Sequence, residues 1–239
     1  MKTSTILLLV TASLLVVVPV LHAVKLNGMI ERGEYTLYSE VQREPGQMID
    51  IQAFKHIEFN TANNVLIEIV QSDSVSLEKD EDLDIQISQR GDTLFIEQAR
   101  QSLDFGKPAK LIRIQTPSLS KADITGVELS DTTGTGNTQE VRSYHVPFEL
   151  RISGFSGERL ELNCTEGGEI NLTANNFRNS RFNIGPGAVL NIAKDNRLDS
   201  LSLTTAKGGY INLQGAAVER LTSSIHPESA LTVSGMEIK

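Results

Sequence analysis

From Phe54 onward, hydrophobic positions recur at a period of two in short runs broken by turn residues. This pattern predicts β-strands, and no window supports a long amphipathic helix. Ile57 and Phe59 alternate with polar neighbours, and Val65-Leu66-Ile67-Glu68-Ile69-Val70 is an apolar run rich in branched residues. Val75-Ser76-Leu77, Leu83-Asp84-Ile85-Gln86-Ile87, Leu94-Phe95-Ile96 and Lys110-Leu111-Ile112-Arg113-Ile114 follow as further strands. Between them stand Asn63-Asn64, Ser72-Asp73 and Arg90-Gly91-Asp92, which carry turn chemistry. Ser130 to Ser143 has little to bury and predicts a mobile excursion, after which Phe148-Glu149-Leu150-Arg151-Ile152 resumes the alternation.

Over residues 158–239 the alternation becomes a repeat. Leu160, Ser180, Leu201 and Leu221 share one position, and Leu162, Phe182, Leu203 and Ser223 share the position two residues on. A polar or glycine-rich corner follows each pair: Glu166-Gly167-Gly168, Gly185-Pro186-Gly187, Lys207-Gly208-Gly209 and His226-Pro227-Glu228. A second apolar pair then returns as Ile170/Leu172, Leu190/Ile192, Ile211/Leu213 and Leu231/Val233. The step is about twenty residues, as in repeat architectures whose single units cannot bury their own apolar face. Stacked copies bury a continuous aliphatic column and pair their backbones from rung to rung. Asn163, Asn171, Asn183, Asn191 and Asn212 each follow an inward residue, where amides could bond along the stacking axis. The expectation is an all-β fold, a single-stranded right-handed parallel β-helix, since β-crossovers favour that hand.

The opening of the chain reads differently. Residues 3–24 carry no formal charge and lie between Lys2 and Lys25, so residues 1–24 predict a hydrophobic helix acting as a signal anchor or signal peptide. Leu21-His22-Ala23 is a poor cleavage site, which favours a retained membrane anchor, and the remainder is expected to be exported to the periplasm or cell envelope. Residues 25–52 are polar and aperiodic and read as a linker or stalk, leaving 53–239 as the β-helix domain.

Composition narrows the choice of function. The chain has no Trp, 18 Gly and a formal net charge of −8, which suits aliphatic rungs turning at glycines and disfavours nucleic acid as a partner. Cys164 is the one cysteine, so no intramolecular disulfide forms, and its place beside Leu160 and Leu162 in the alternation predicts a small buried hydrophobe.

Several stretches together carry a resemblance. They are Phe54-Lys55-His56-Ile57, Ile67-Glu68-Ile69-Val70-Gln71-Ser72-Asp73, Gly91-Asp92-Thr93-Leu94-Phe95-Ile96, the Thr116-Pro117-Ser118-Leu119 step and the glycine-punctuated repeat. In this order, behind an apolar N-terminal segment, they resemble the auto-transporter adhesin head GIN domain family of Bacteroidetes envelopes, over about residues 53–239. The resemblance implies a single-stranded right-handed β-helix, an exported location and an adhesive role. It supplies no catalytic residues. Several members repeat a Ser-Gly-Ala-like corner, which only Ser153-Gly154 and Ser234-Gly235 approach here.

Few constellations suggest chemistry. Asp80-x-Asp82-x-Asp84 imitates the start of a calcium loop, but Ile85 and Gly91 stand where that loop needs Gly and Glu, so a solvated acidic turn is expected. Gly154-Phe155-Ser156-Gly157-Glu158 lacks the last glycine of a nucleophile elbow. His22, His56, His145 and His226 are scattered, and no metal or cofactor is expected. The corner Lys194-Asp195-Asn196-Arg197-Leu198-Asp199 is the one rich enough to suggest a glycan-contacting or catalytic patch, with Asp195, Arg197 and Asp199 as its candidate residues. Two functions follow. The first is a non-enzymatic envelope scaffold for a protein or glycan partner, with membrane contact through the N-terminal segment and a possible homo-oligomeric state. The second is a carbohydrate-binding or carbohydrate-cleaving β-helix.

Overall fold

The computed structural model describes residues 46–62, 64–99, 109–133, 140–145 and 148–235. The expected N-terminal helix at 1–24 and most of the 25–52 linker lie outside these residues. Every described element is a strand or a turn, so the all-β expectation holds.

The strands in chain order begin with β1 (Gln47–Ile49), β2 (His56–Ala62), β3 (Val65–Gln71), β4 (Ser76–Lys79) and β5 (Ile85–Arg90). Next come β6 (Thr93–Gln98), β7 (Lys110–Thr116), β8 (Lys121–Gly126), β9 (Glu128–Thr133) and β10 (Glu140–His145). The repeat region supplies β11 (Glu149–Ser153), β12 (Ser156–Cys164), β13 (Glu169–Thr173), β14 (Asn176–Ile184) and β15 (Val189–Ile192). It ends with β16 (Arg197–Thr205), β17 (Tyr210–Gln214), β18 (Ala217–Ser224) and β19 (Ala230–Ser234).

These strands form two large mixed sheets and one small ribbon. The first sheet has nine strands in the order β1-β4-β7-β3-β11-β13-β15-β17-β19, and the second has eight in the order β18-β16-β14-β12-β8-β2-β6-β5. From β11 to β19 the chain alternates strictly between them, and each strand lies parallel to the one a full repeat earlier.

The register matches the hydrophobic columns residue for residue. Leu160 pairs with Ser180, Ser180 with Leu201, and Leu201 with Leu221. Ile170, Leu190, Ile211 and Leu231 likewise stand opposite one another in the first sheet. The columns also run back beyond the repeat: Leu150 pairs with Ile67, and Leu162 with Ala122, which pairs in turn with Ile57. Almost all of these side chains are fully buried, each contributing about 1.5–3 kcal/mol by leaving water.

The other end of the stack is not sequential. β2 and β3 sit between β6/β7 on one side and β8/β11 on the other, so the strands at this end do not stack in chain order. Antiparallel strands close that end: β1 pairs with β4, β4 with β7, and β5 with β6. The parallel arrangement expected throughout 53–239 therefore fails here: the two-residue Gly91-Asp92 turn between β5 and β6 is too short for a crossover, and β4 runs antiparallel to β7. β1 also falls inside the stretch read as linker, tying it into the first sheet. Within the 130–143 excursion, residues 130–133 and 140–143 pair in the β9–β10 antiparallel ribbon.

Corners explain the glycines and one exception. A Cβ on Gly185 would lie 2.1 Å from the Thr165 carbonyl oxygen of the preceding coil, so the coils approach there too closely for any side chain. At another corner Gly154, Gly215 and Gly235 adopt φ of 83°, 71° and 64°, but Ala174 holds φ 55° at the equivalent place. The coil that steps by 21 residues adds its extra residue to the Ala193–Asn196 corner, which carries Lys194 and Asp195. Ala174→Gly is expected to raise stability by roughly 0.5–1 kcal/mol, by relieving a left-handed alanine. Gly185→Ala is expected to lower it by about 1–3 kcal/mol. Urea denaturation of each variant measures both, and an unchanged midpoint for Gly185→Ala would contradict the close approach.

Candidate binding surfaces

With inward positions committed to the core, chemistry is left to the outward ones, and register aligns these too. On the first sheet one outward position runs Glu78, Arg113, Glu68, Arg151, Asn171, Asn191, Asn212 and Thr232, strand after neighbouring strand. Its first half alternates in charge. Arg113 donates from Nη2 to Glu68 Oε2 at 3.0 Å, and Arg151 lies 3.4 Å from Glu68 Oε1. Arg151 also donates to Glu149 at 2.6 Å, and that bond holds its guanidinium above the ordinary arginine range, burial opposing it and the charges of Glu149, Glu68 and Glu169 adding to it. The second half is an amide ladder in which Asn191 Nδ2 donates to Asn171 Oδ1 at 3.0 Å. Asn171 and Asn191 also donate to Glu149 and Glu169, each at 3.0 Å.

The second sheet repeats the device. Asn183 donates to Asn163, which donates to Asp123 at 2.6 Å. Four of the five asparagines expected to stack therefore do so in pairs. A further ladder lies inside the fold, where the sequence offered no reason to look. Asn175 and Asn196 are both 2% exposed, and Asn175 Nδ2 donates to Asn196 Oδ1 at 3.0 Å. Asn196 also donates to the Leu172 carbonyl at 2.7 Å, and Asn175 to that of Ile152 at 3.0 Å, so the corner carbonyls find partners without water.

The candidate patch at Asp195, Arg197 and Asp199 spans the corner before β16 and the start of that strand, which lies between β14 and β18 in the second sheet. Arg197 Nε is 3.7 Å from Asp199 Oδ1 and its Nη2 is 3.8 Å from Glu219 Oε1, so one guanidinium sits between two carboxylates. Asp195 stands apart and accepts from the Asn196 amide at 3.5 Å. One coil away Arg178 pairs with Glu158 at 3.0 Å. These ion pairs are exposed and contribute little to stability. The arrangement can hold polar groups of a ligand.

The acidic turn has acquired its own cation. Lys79 is 8% exposed, and its ammonium donates to the Leu83 carbonyl at 2.8 Å and to those of Asp80 and Glu81 at 3.4 Å. The Leu111 N–H donates to Asp80 Oδ2 at 2.8 Å, and Lys110 pairs with Asp82. A metal entering this turn would have to displace a buried lysine. Neither the lysine's burial nor its partners follow from the Asp-x-Asp-x-Asp spacing that drew attention there.

Cys164 is buried, as the alternation predicted, with Sγ 3.2 Å from the Gly167 carbonyl. Burial pushes its thiol up to about 12. Open cavities lie on the surface of the described residues. One of about 300 Å³ on the second sheet is lined by Arg159, Asn179, Ser180, Arg181, Ser200 and Ser202. Another of about 480 Å³ lies at the β3/β11 corner, where Phe148 and Val189 meet Glu149 and Glu169. A third, also about 480 Å³, lies beside Gln52 and Gln89.

No family model matches the chain, and no curated protein is similar to it. Some solved structures are similar to it at low identity. A protein of Bacteroides fragilis, provisionally named an adhesin, is 16% identical with a TM-score of 0.49, over 80% of this chain and 93% of its own. One from Parabacteroides distasonis, provisionally named a lipid binding protein, is 15% identical with a TM-score of 0.40, over 82% and 96%. One from Parabacteroides merdae, provisionally named an adhesin, is 11% identical with a TM-score of 0.37, over 79% and 95%. Identities and TM-scores this low do not transfer an activity to this chain.

Lys79→Met is expected to cost about 1–3 kcal/mol, because three converging carbonyls lose their donor, and chemical denaturation measures the loss. For Cys164 the expected result is resistance to thiol reagents at pH 8 in the folded protein and rapid modification once urea unfolds it. Labelling at equal rates in both states would overturn the burial assigned to it.

Proposed function

We propose that this chain is a non-enzymatic protein of the cell envelope, a right-handed coiled scaffold whose outer faces bind a protein or glycan partner. The observation that carries the reading is the continuous outward row from Glu78 to Thr232, crossing eight neighbouring strands without a break. Such a row offers charged, amide and hydroxyl groups at the strand spacing of about 4.8 Å, which suits an extended partner better than a small substrate. The strict alternation of β11–β19 between two sheets favours a coil, and the chirality of parallel crossovers favours the right-handed one. Membership of the head GIN domain family and an adhesive role belong to the same proposal. So does export, which rests on the apolar stretch at 3–24. No helix among the described residues is long and apolar enough to cross a membrane.

The alternative, a carbohydrate-binding or carbohydrate-cleaving coil, draws on the Asp195, Arg197 and Asp199 patch. Alanine at all three residues separates the readings: unchanged glycan binding or turnover removes that patch from the function.

Glycan-array and pull-down screening of the full-length chain is expected to yield a retained partner and no turnover of the arrayed glycans. Release of shortened glycans would overturn the non-enzymatic reading. Deleting residues 2–24 is expected to leave a soluble protein with the β-sheet circular dichroism of the full chain, and loss of that spectrum would sink the division into tether and domain.

A further inference from the structure

The outer face of β12, β14, β16 and β18 holds every charged residue those four strands carry: Glu158, Arg159, Glu161, Arg178, Arg181, Arg197, Asp199, Glu219 and Arg220. Five arginines thus face four carboxylates, on a chain whose formal net charge is −8. Each carboxylate is engaged. Glu158 pairs with Arg178 at 3.0 Å, and Asp199 and Glu219 flank Arg197. Glu161 accepts from Arg159 and from Asn163. Burial pushes the Glu161 carboxyl up, but the hydrogen bonds from Asn163 and Arg159 and the charges of Arg159 and Lys121 outweigh it and hold the group below its usual range. Glu161 therefore stays ionised and bound to these neighbours at neutral pH. Arg181 and Arg220 are exposed and have no carboxylate partner among the described residues.

Register fixes how these two lie. Arg159, Asn179, Ser200 and Arg220 form one cross-strand row, and Glu161, Arg181, Ser202 and Thr222 form the next outward row. Arg181 and Arg220 are two strands and one outward row apart, about 12 Å at the usual spacings, with the hydroxyls of Ser200 and Ser202 on the strand between. The cavity of about 300 Å³ opens at this place, bordered by Arg159, Asn179, Arg181, Ser200 and Ser202. That volume holds one or two sugar rings, and the lining mixes guanidinium forks for carboxylates with hydroxyl and amide groups for sugar hydroxyls.

We propose that this face binds an acidic polysaccharide, laid across the strands with successive anionic groups on Arg181 and Arg220. The proposal rests on the scaffold reading above and names a ligand class for it. A membrane surface fits less well, because the large exposed hydrophobics among the described residues are Met48 and Val233, neither on this face. Nucleic acid fits less well too, since the face offers no aromatic side chain for base stacking.

The test uses the full-length chain with polygalacturonate as the carboxylated probe and a neutral galactan of matched length, at near-physiological ionic strength. Wild type is expected to bind polygalacturonate and not the galactan. The double variant R181S/R220S is expected to bind at least about tenfold more weakly, with an unchanged thermal melt, and Arg181→Gln alone to bind severalfold more weakly. Arg90→Ser, on β5 at the other end of the same sheet, should leave polygalacturonate binding unchanged. Undiminished binding by R181S/R220S, or equal binding of a DNA oligomer of matched charge, overturns the proposal. If polygalacturonate is not bound but the array and pull-down screen yields another partner, this assignment falls and the scaffold stands. If neither yields a partner, both fall.

Discussion

From β11 to β19 the structure depends on parallel pairing between repeats held in one register. In a strand a slip of one residue carries every side chain to the opposite face. Here such a slip would turn Leu162, Phe182 and Leu203 outward and bring Asn163, Asn183 and Thr204 into the core. The aliphatic columns therefore specify the register, and the register in turn aligns the outward residues. Asn171 meets Asn191, and Glu68 meets both Arg113 and Arg151, because the residues beside them are buried. The polar ladders follow from the core and do not have to be strong to be ordered.

A stack of this kind leaves two difficulties, its corners and its ends. At corners the backbone leaves the sheets and its carbonyls lose their ladder partners, which is costly where water is excluded. The buried Asn175–Asn196 pair resolves this over two coils, with Phe155 and Ala216 filling the equivalent place on either side. At one end β1, β4 and β5 pair antiparallel, and β1, only three residues long, is a short edge strand of the kind that limits further pairing. The β18–β19 end differs, since Leu221 and Leu231 are only partly buried there and Val233 is 46% exposed.

How much of this could be read from the sequence depended on whether a feature recurs. The columns through Leu160 and Ile170 were legible because four copies report the same constraint, and the corner glycines because close approach and left-handed backbone each demand them. The stacking order of β2, β3, β6 and β7 was not legible. Each of those strands carries the same alternation, and period two says which face is inward but not which neighbour is adjacent. Lys79 was missed for a related reason, since an outward-looking lysine beside an acidic turn gives no sign that its ammonium folds back onto three carbonyls. Asn175 and Asn196 resemble ordinary turn residues until the coils are stacked. Asp195, Arg197 and Asp199 were found as a sequence cluster, yet the structure brings only Arg197 and Asp199 together and adds Glu219 from the next coil.

That addition of Glu219 from the neighbouring strand shows how side chains distant in sequence meet on these sheets. Neighbours on the surface come from residues about twenty apart, so a binding site is spelled across coils and is invisible in any one of them. Arg181 and Arg220 are separated by almost two repeats, and neither belongs to a motif. A change at an outward position costs the core nothing, because alternation isolates it from the inward columns. The coil can therefore keep its fold while its faces vary, and a local positive surface can persist on a chain that is acidic as a whole.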